Sequence, residues 1–589
     1  MKPKLPIRKT PIAKHFVRAF ILISFLLSLS SLFGHLTFDY QTPNDTSRLI
    51  ISLWYTAILM LVTASLISWF ASKKNKDPSV DNSLLILIIV CIIALIPRLI
   101  KLDHLGIFLD ERYWIQEAQG LLNGKIVSLF GFVGDQPSNM PALIVSLILK
   151  ITNNIYYAVR LPGVIYSIGF LCFLFLFTKQ RMGIVIAFLV SLLFATGLWD
   201  IHMSRWGWNN VTPNPFIIMG IIYFYSKLLD RPTTHIAIVC GIFMGIAINL
   251  LYVSMLMIVP IVALIPIVIF SKRAVFPTDN IPCVNRNKTL AIVGIFCISI
   301  FITSAPTIAK VIKYPTQSIQ RHKSFVAENI VASKSAGSRL SYYSEQFVLV
   351  INDFTPALAK YNIRGLWGLT LNYTTYITMI LGLIYIIVKR RNREGVFIVV
   401  SFLIMFAPVV ILNRTTSVWR EYAFVPTVYI FSAYGMYAIY QVIRNIKGIG
   451  TPIFILCMTG YIMTEFIYGY AIFSRDDLSA TPLFSETLCK QTSEYVVDKI
   501  APTKRVFFPD QLCSDLAITA IAGRHPNVKI YPTTPSFRNN EVVIYYTISR
   551  LRPSFFITEN DMDTMAYKNG FRKLLIAKVG KEKAYAYVK

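Results

Sequence analysis

Two adjacent acids, Asp110 and Glu111, stand near the start of the stretch FLDERYWIQEAQGLLNG (108–124), just after a long apolar run. A carboxylate can take a proton from a hydroxyl or an amine, so this pair could supply a general base. Asp before a helix is also a common N-cap, and Glu in the first turn complements the helix dipole. The residue types are consistent with both interpretations.

The composition is that of a polytopic α-helical membrane protein. Of the 589 residues, 55% are hydrophobic and 15% are charged, and the mean hydropathy is +0.56. Apolar runs of roughly 17 to 22 residues without period-2 alternation are long enough to cross a bilayer as helices. The formal net charge of +28 comes from bases in short loops between these runs. This pattern follows the positive-inside rule and argues against nucleic-acid binding.

The runs predict about thirteen transmembrane helices. They lie near 19–34, 49–71, 83–100, 155–178, 184–200, 211–229, 235–251, 253–270, 290–309, 368–388, 396–412, 424–442 and 449–472. The charged loops place the N-terminus in the cytoplasm and both the acids and the C-terminal tail outside it. The cell membrane is the expected location.

The spans divide the chain into three predicted parts. Residues 1–82 hold two extra helices, and 83–473 form a transmembrane catalytic module with outside loops 101–154 and 310–367. Residues 474–589 predict a small extracytoplasmic α/β domain, with strand-like runs RVFFP, VKIYP, EVVIYY, PSFFIT and KLLIAKV. Cys489 and Cys513 in this part could form a disulfide or stay free thiols.

An amphipathic helix is predicted over 111–123, lying in the membrane interface. Its apolar face carries Trp114, Ile115, Ala118, Leu121 and Leu122. Ionisable residues at a membrane cavity favour a functional site, so the acids could be a site as well as a cap. Glu117 and Asp135 are the auxiliary acids if Asp110 is not the base.

Arginines stand at the predicted outer ends of helices: Arg98, Arg160, Arg205, Arg414 and Arg420. Arg binds phosphate through two parallel N–H groups, although a helix-end Arg can also reach lipid headgroups. Nucleotide-activated substrates are not normally present outside the cytoplasm, so an enzyme there needs a lipid-linked phosphate donor. His202 has no second His at ligand spacing, which argues against a His-based metal site.

Four segments in sequence resemble the GT-C glycosyltransferases, particularly the branch of protein O-mannosyltransferases and aminoarabinose transferases. They are PRLIKLDHLGIFLDERYWIQEAQGLLNG (97–124), AVRLPGVIYSIGFL (158–171), IHMSRWGWNNVTPNPF (201–216) and VWREYAFVPTVYIFSAYGMY (418–437). The resemblance covers most of 85–470 and leaves out 1–82.

The resemblance implies inverting transfer of a sugar from a polyprenyl-phosphate donor to an extracytoplasmic lipid, glycan or protein. Asp110 would then be the catalytic base with Glu111 assisting or positioning, and Arg420, Arg205 and Arg160 would contact the donor phosphate. Some relatives carry a further Asp after Ser-Arg, where this chain has Asn209 and Asn210. No cofactor is indicated firmly, and a divalent metal stays an open alternative.

Other functions stay as alternatives. An oligosaccharyltransferase would share the architecture, but the Trp-Trp-Asp motif of that class is absent after residue 474. A transporter or lipid flippase would carry polar residues at mid-membrane in two similar halves. A non-catalytic scaffold on the same fold is the third alternative.

Overall fold

The computed structural model describes most of the helical part of the chain and the strands of the tail. The described residues are 11–38, 44–72, 82–103, 109–125, 140–207, 209, 211–230, 232–250, 286–315, 339–355, 371–389, 422, 425–446, 449–474, 491–500, 505–509, 528–531, 541–547, 559–568, 571–579 and 582–588.

The helices of the described chain up to residue 474 are numbered in chain order. They are α1 (Pro11–Thr37), α2 (Asp45–Ser72), α3 (Asn82–Leu99), α4 (Leu109–Leu122), α5 (Met140–Thr152), α6 (Ile155–Met182), α7 (Ile184–Thr196), α8 (Leu198–Ser204), α9 (Asn214–Asp230), α10 (Thr234–Asn249), α11 (Arg286–Lys313), α12 (Arg339–Phe354), α13 (Tyr373–Lys389), α14 (Val425–Ile443) and α15 (Gly450–Ser474).

Every predicted span within the described residues overlaps a helix, whereas the spans at 253–270 and 396–412 lie outside them. Five described helices are long and apolar enough to cross a membrane, or six if α7 and α8 form one bent span. Helices such as α3 and α10 fall short because fewer than 20 residues at about 1.5 Å each do not cover a ~30 Å hydrocarbon core. The count of thirteen therefore stays a prediction, and the chain is an integral membrane protein.

The predicted span 184–200 is wrong as a single straight helix. It breaks at Gly197, and α7 and α8 meet at 60°. A Cβ on Gly197 would collide with the hydroxyl of Tyr429 on α14. The close approach of that ring requires glycine at the break, which an apolar run does not reveal.

The main core joins the helices on both sides of this break. Its members are fully or nearly buried on α3, α6, α7, α8, α9 and α14, among them Val90, Phe170, Phe194, Trp199, Ile218 and Tyr429. Helices α13 and α14 approach closely where Gly382 faces Gly435, since a Cβ on either glycine would overlap the backbone of the other helix. Small residues let membrane helices pack backbone to backbone in this way.

Helices α1 and α2, which lie outside the family resemblance, pack on α11 through polar contacts. Ser31 donates to the carbonyl of Ile50 at 2.8 Å within the hairpin. The indole of Trp54 donates to the carbonyl of Ile302 at 2.9 Å, and Ser28 donates to the same carbonyl at 3.4 Å. The two extra helices are therefore joined to the bundle by hydrogen bonds as well as by apolar packing.

Helix α4 confirms the predicted amphipathic helix, but its apolar face contacts protein. Trp114, Ile115 and Ala118 are buried against Val145 of α5 and Val159 of α6. Helix α5 was not predicted, and it provides the surface that lipid was expected to provide. Helix α12 is a second helix that the sequence pattern did not predict within an outside loop.

The described part of the tail contains a π-helical turn (Val496–Ile500), a helix α16 (Glu559–Lys568) and five strands. The strands are β1 (Arg505–Pro509), β2 (Val528–Tyr531), β3 (Glu541–Thr547), β4 (Arg572–Val579) and β5 (Glu582–Val588). They form one sheet in the order β2-β1-β3-β5-β4. Strand β1 pairs in parallel with β2 and β3, and β5 pairs antiparallel with β3 and β4.

Four of the predicted strand runs are confirmed as β1, β2, β3 and β4. The fifth run, PSFFIT, lies outside the described residues. Strand β5 was not predicted. Cys489 and Cys513 also lie outside the described residues. The three-part division of the chain stays a prediction.

Candidate active site

Glu111 lies in the first turn of α4 and is fully buried. Both of its carboxylate oxygens are held by Arg160 of α6. Arg160 donates from Nε to Oε1 at 2.8 Å and from Nη2 to Oε2 at 2.9 Å. A two-point contact of this kind fixes orientation as well as distance.

Two backbone groups complete the contacts of this pair. The N–H of Gly207 donates to Glu111 Oε1 at 2.9 Å, and Arg160 Nη1 donates to the carbonyl of Leu102 at 3.0 Å. A Cβ on Gly207 would lie 2.9 Å from Glu111 and 2.7 Å from Val159. The pair therefore joins α4, α6, the segment that follows α3 and the loop after α8. We call Glu111, Arg160 and the N–H of Gly207 the acid clamp.

Asp110 is the second residue of α4, which begins at Leu109. The N-cap prediction is therefore wrong in position, because Asp110 is already inside the helix rather than before it. Its side chain lies outside the described part of the structure, as do Asp135, Arg414 and Arg420. The clamp holds the backbone of α4 at the residue next to Asp110.

Arg205, predicted to contact phosphate, lies at the C-terminal end of α3 instead. Its Nη1 donates to the carbonyls of Pro97 at 2.8 Å, Arg98 at 3.3 Å and Ile100 at 2.6 Å, and its Nη2 donates to Lys101 at 3.1 Å. The last carbonyls of a helix have no partner within it, and a cation there also complements the dipole. Arg205 is 8% exposed.

Arg160 and Arg205 therefore both donate to internal acceptors, and their contact with a donor phosphate stays a prediction. Their burial also excludes snorkelling to headgroups. Carbonyls and a carboxylate that are distant in sequence provide these acceptors for the two guanidinium groups. Sequence patterns do not reveal such acceptors.

A second buried ion pair, which the sequence interpretation missed, lies at the break between α7 and α8. Asp200 of α8 pairs with Arg98 of α3, and both are fully buried. Asp200 also accepts hydrogen bonds from Ser167, at 2.8 Å, and from the hydroxyl of Tyr422. A lone Asp in an apolar run was the signal that could have identified it.

Arg98 also satisfies the end of α7. It donates to the carbonyls of Ala195 at 2.9 Å and Phe194 at 3.2 Å, which the break leaves without helical partners. On the other side of the break, Glu465 of α15 accepts from the backbone N–H of Leu198 at the start of α8. The side-chain amide of Asn372 also donates to Glu465. The broken helix is thus stabilised at both of its new ends.

Glu117 lies two turns after the acids and is half-buried. Burial raises the pKa of its carboxyl above the usual range. Within the described residues, no group of three or more His, Cys, Asp and Glu side chains could hold a metal ion. A divalent metal bound with the help of other residues stays an open alternative.

A family model described as dolichyl-phosphate-mannose-protein mannosyltransferase matches residues 135–302. This segment contains Arg160, the α7–α8 break, Asp200, Arg205 and Gly207. No curated protein sequence matches the chain.

Solved structures that match the chain include an oligosaccharyltransferase from Archaeoglobus fulgidus, at 12% identity and a TM-score of 0.46, with 76% of this chain and 64% of that chain covered. ArnT from Cupriavidus metallidurans bound to undecaprenyl phosphate matches at 8% identity and a TM-score of 0.48, with 86% and 98% covered. Arabinosyltransferase EmbB from Mycobacterium smegmatis matches at 12% identity and a TM-score of 0.40, with 66% and 34% covered. This chain thus spans less than two thirds of the oligosaccharyltransferase.

The family model matches less than half of the chain, and it includes two of the four segments that carry the predicted likeness. The resemblance of this membrane protein to the GT-C glycosyltransferases, in their protein O-mannosyltransferase and aminoarabinose transferase branch, is therefore confirmed.

Proposed function

We propose that the protein is a membrane glycosyltransferase that moves a sugar from a polyprenyl-phosphate carrier to an acceptor outside the cytoplasm. The acid clamp is the observation that carries this proposal. It holds the helix that bears Asp110 to three other parts of the chain, next to the segment that the mannosyltransferase family model matches. A site that does chemistry needs its reacting group on a backbone fixed in this way.

Asp110 is the proposed base. Both oxygens of Glu111 already accept charge-assisted hydrogen bonds, so Glu111 is suited to positioning rather than to proton transfer. In the proposed step the acceptor oxygen or nitrogen attacks the anomeric carbon, the bond from that carbon to the phosphate oxygen breaks, and the acceptor proton moves to Asp110. The sugar inverts because attack and departure occur on opposite faces.

Arg420 is the proposed contact for the leaving phosphate. Arg160 and Arg205 have internal acceptors, which makes them structural supports of the site in this proposal. A cation at the leaving phosphate stabilises the negative charge that develops there. The family model's description names a dolichyl-phosphate mannose donor for that family, and mannose is therefore the first sugar to test.

The test uses the full-length protein in liposomes with mannose on a polyprenyl phosphate whose phosphate carries the radiolabel. Release of free polyprenyl phosphate is measured in the presence of a cell-envelope extract, because that product is common to every acceptor. Wild-type protein is expected to release it, and Asp110→Asn is expected not to. Glucose-phosphate and aminoarabinose-phosphate lipids are run in parallel to identify the sugar.

Three outcomes would contradict the proposal. One is no release with any monophosphate-linked sugar, and a second is release that Asp110→Asn does not change. The third is turnover only of a diphosphate-linked oligosaccharide, which would instead support an oligosaccharyltransferase.

A further inference from the structure

Asp200 joins four separate parts of the chain through a single buried carboxylate. Arg98 comes from α3, Ser167 from α6, Tyr422 from the segment before α14, and Asp200 itself is on α8. The residue most distant in sequence is Tyr422, 222 positions away. Asp200 therefore connects the early part of the bundle to its late part.

A buried ion pair is a weak source of stability, because desolvation of both charges offsets most of their attraction. Apolar residues of similar volume would pack this region at no greater cost. The arrangement is better explained by geometry, since each of the partners of Asp200 sets a position in the chain. Arg98 reaches the carboxylate and the end of α7 at once.

On the side of Arg98, the contacts of Asp200 connect to the two acids, Asp110 and Glu111. Arg98 occupies the last turn of α3, and Arg205 holds the carbonyls that follow it. The chain then reaches Leu102, whose carbonyl is held by Arg160 of the acid clamp. Asp200 is thus connected through consecutive contacts to the backbone at Glu111.

On the side of Tyr422, the contacts of Asp200 reach the chain close in sequence to Arg420. Tyr422 stands two residues after Arg420 and is 2% exposed. Its hydroxyl donates to Asp200, and its ring meets Trp199 edge-on, with the centroids 5.9 Å apart. The tyrosine is therefore fixed by a polar and an aromatic contact to the same short helix.

We infer that Asp200 and Tyr422 are positioning residues for donor binding, which fix the chain at the second residue after Arg420 to the helices that lead to the acid clamp. The inference rests on the proposed function and adds two residues to it. Neither residue needs to touch the sugar or the phosphate. Their contact sets where the leaving phosphate is held relative to the base.

Ser167 offers a control on the same carboxylate, because it also donates a hydrogen bond to Asp200, and it accepts a second one from Arg98 Nε at 2.9 Å. It lies in the middle of α6, away from the segment of Arg420. Tyr422→Phe and Ser167→Ala each remove one hydroxyl from the same acceptor. Ser167→Ala removes two hydrogen bonds and should lose at least as much thermal stability as Tyr422→Phe, whereas only Tyr422→Phe should disturb the phosphate contact.

The experiment measures binding of undecaprenyl phosphate, by thermal stabilisation of the purified protein, and turnover of the polyprenyl-phosphate sugar. Tyr422→Phe is expected to raise the donor KM at least about tenfold and to weaken undecaprenyl phosphate binding to a similar extent. Ser167→Ala is expected to keep both values within about twofold. Tyr422→Phe combined with Arg420→Ala should be no worse than Arg420→Ala alone, because both act on one contact.

Equal effects of Tyr422→Phe and Ser167→Ala on undecaprenyl phosphate binding and on the donor KM would overturn the inference. The proposed function would still stand in that case, provided that the wild-type protein transfers the sugar. Additive losses in the double variant would overturn it as well. Wild-type protein that neither binds undecaprenyl phosphate nor turns over the donor would overturn the inference and the proposed function together.

Discussion

Arg160 holds both carboxylate oxygens of Glu111, across 49 residues of sequence. The second acid of the Asp-Glu pair is consequently a structural contact, and the two neighbouring acids have different expected roles. The first prediction follows from this difference.

Asp110→Asn should leave the protein folded and abolish most transfer. Asn has nearly the same shape as Asp and loses only a small favourable interaction with the helix dipole, but an amide has no useful proton affinity. We expect a loss of about a hundredfold to ten-thousandfold in turnover, with little change in thermal unfolding. If turnover is retained, the base is not Asp110, and Glu117 and Asp135 are the next acids to test.

Glu111→Gln should act mainly on stability. Removal of this charge leaves the buried guanidinium of Arg160 without the carboxylate of Glu111, and loss of one partner of a buried ion pair typically costs about 3 to 5 kcal/mol. Thermal unfolding in detergent measures the loss. The matched control is the double variant with Arg160→Met, which removes the unpaired charge and should recover part of that stability. A double variant as unstable as the sum of the single variants would show that the pair does not act as a unit.

Variants of Arg205 and of Arg420 should have different effects: the first on the stability of the fold and the second on use of the donor. Arg205→Lys keeps the charge but loses the fork that reaches four carbonyls, so the unfolding temperature should fall. Arg420→Ala should lower transition-state stabilisation by about 2 to 4 kcal/mol and leave unfolding nearly unchanged. The paired measurements are the unfolding temperature and kcat/KM. Near-normal kcat/KM in purified Arg420→Ala would remove Arg420 from the proposed site.

The packing of α3 against α6 predicts a chemical cross-link. Cys91 and Cys172 have their Sγ atoms 4.0 Å apart on these helices. In a variant with every other cysteine replaced by alanine, dibromobimane should bridge the two thiols and become fluorescent. The same variant with Cys172→Ala should stay dark. A dark two-cysteine protein that still reacts with monofunctional reagents would contradict the packing.

The charge pattern predicts that Lys389 and Arg390 face the cytoplasm and that residues 475–589 lie outside it. Single cysteines at positions 390 and 560 can be labelled in intact cells with a reagent that does not cross the membrane. Only position 560 should react. Equal labelling of both positions would place them on the same side of the membrane and contradict the proposed topology of the late spans.

Apolar runs were sufficient to predict most of the long helices among the described residues, because hydropathy over about 20 residues depends only on local sequence. The break at Gly197 was not predictable in this way. It depends on Tyr429, which approaches from a helix more than 200 positions later. Helix α5 was missed for a different reason, since it was assigned to an outside loop and its 13 residues are too few to read as a span.

The acids were located from sequence because they follow an apolar run and precede an amphipathic pattern. Their individual roles were not separable, since the partner of Glu111 lies on another helix. The arginines illustrate the same limit of local patterns: charge and position suggested phosphate contacts, whereas the acceptors of Arg160 and Arg205 are set by tertiary packing. Asp200 shows the reverse case, in which a charged residue inside an apolar run was itself the signal.

The hydrogen bonds of α1 and α2 to α11 set a condition on biogenesis. Trp54 and its acceptor Ile302 are separated by 248 residues. A ribosome adding about 5 to 20 residues per second needs roughly 12 to 50 s to synthesise that interval. During this time the N-terminal hairpin resides in the bilayer without its final partner. Its serine hydroxyls can meanwhile bond to carbonyls one turn back in their own helix. Packing of the hairpin on α11 thus exchanges these temporary bonds for permanent ones, while α13, α14 and α15 are still to be synthesised.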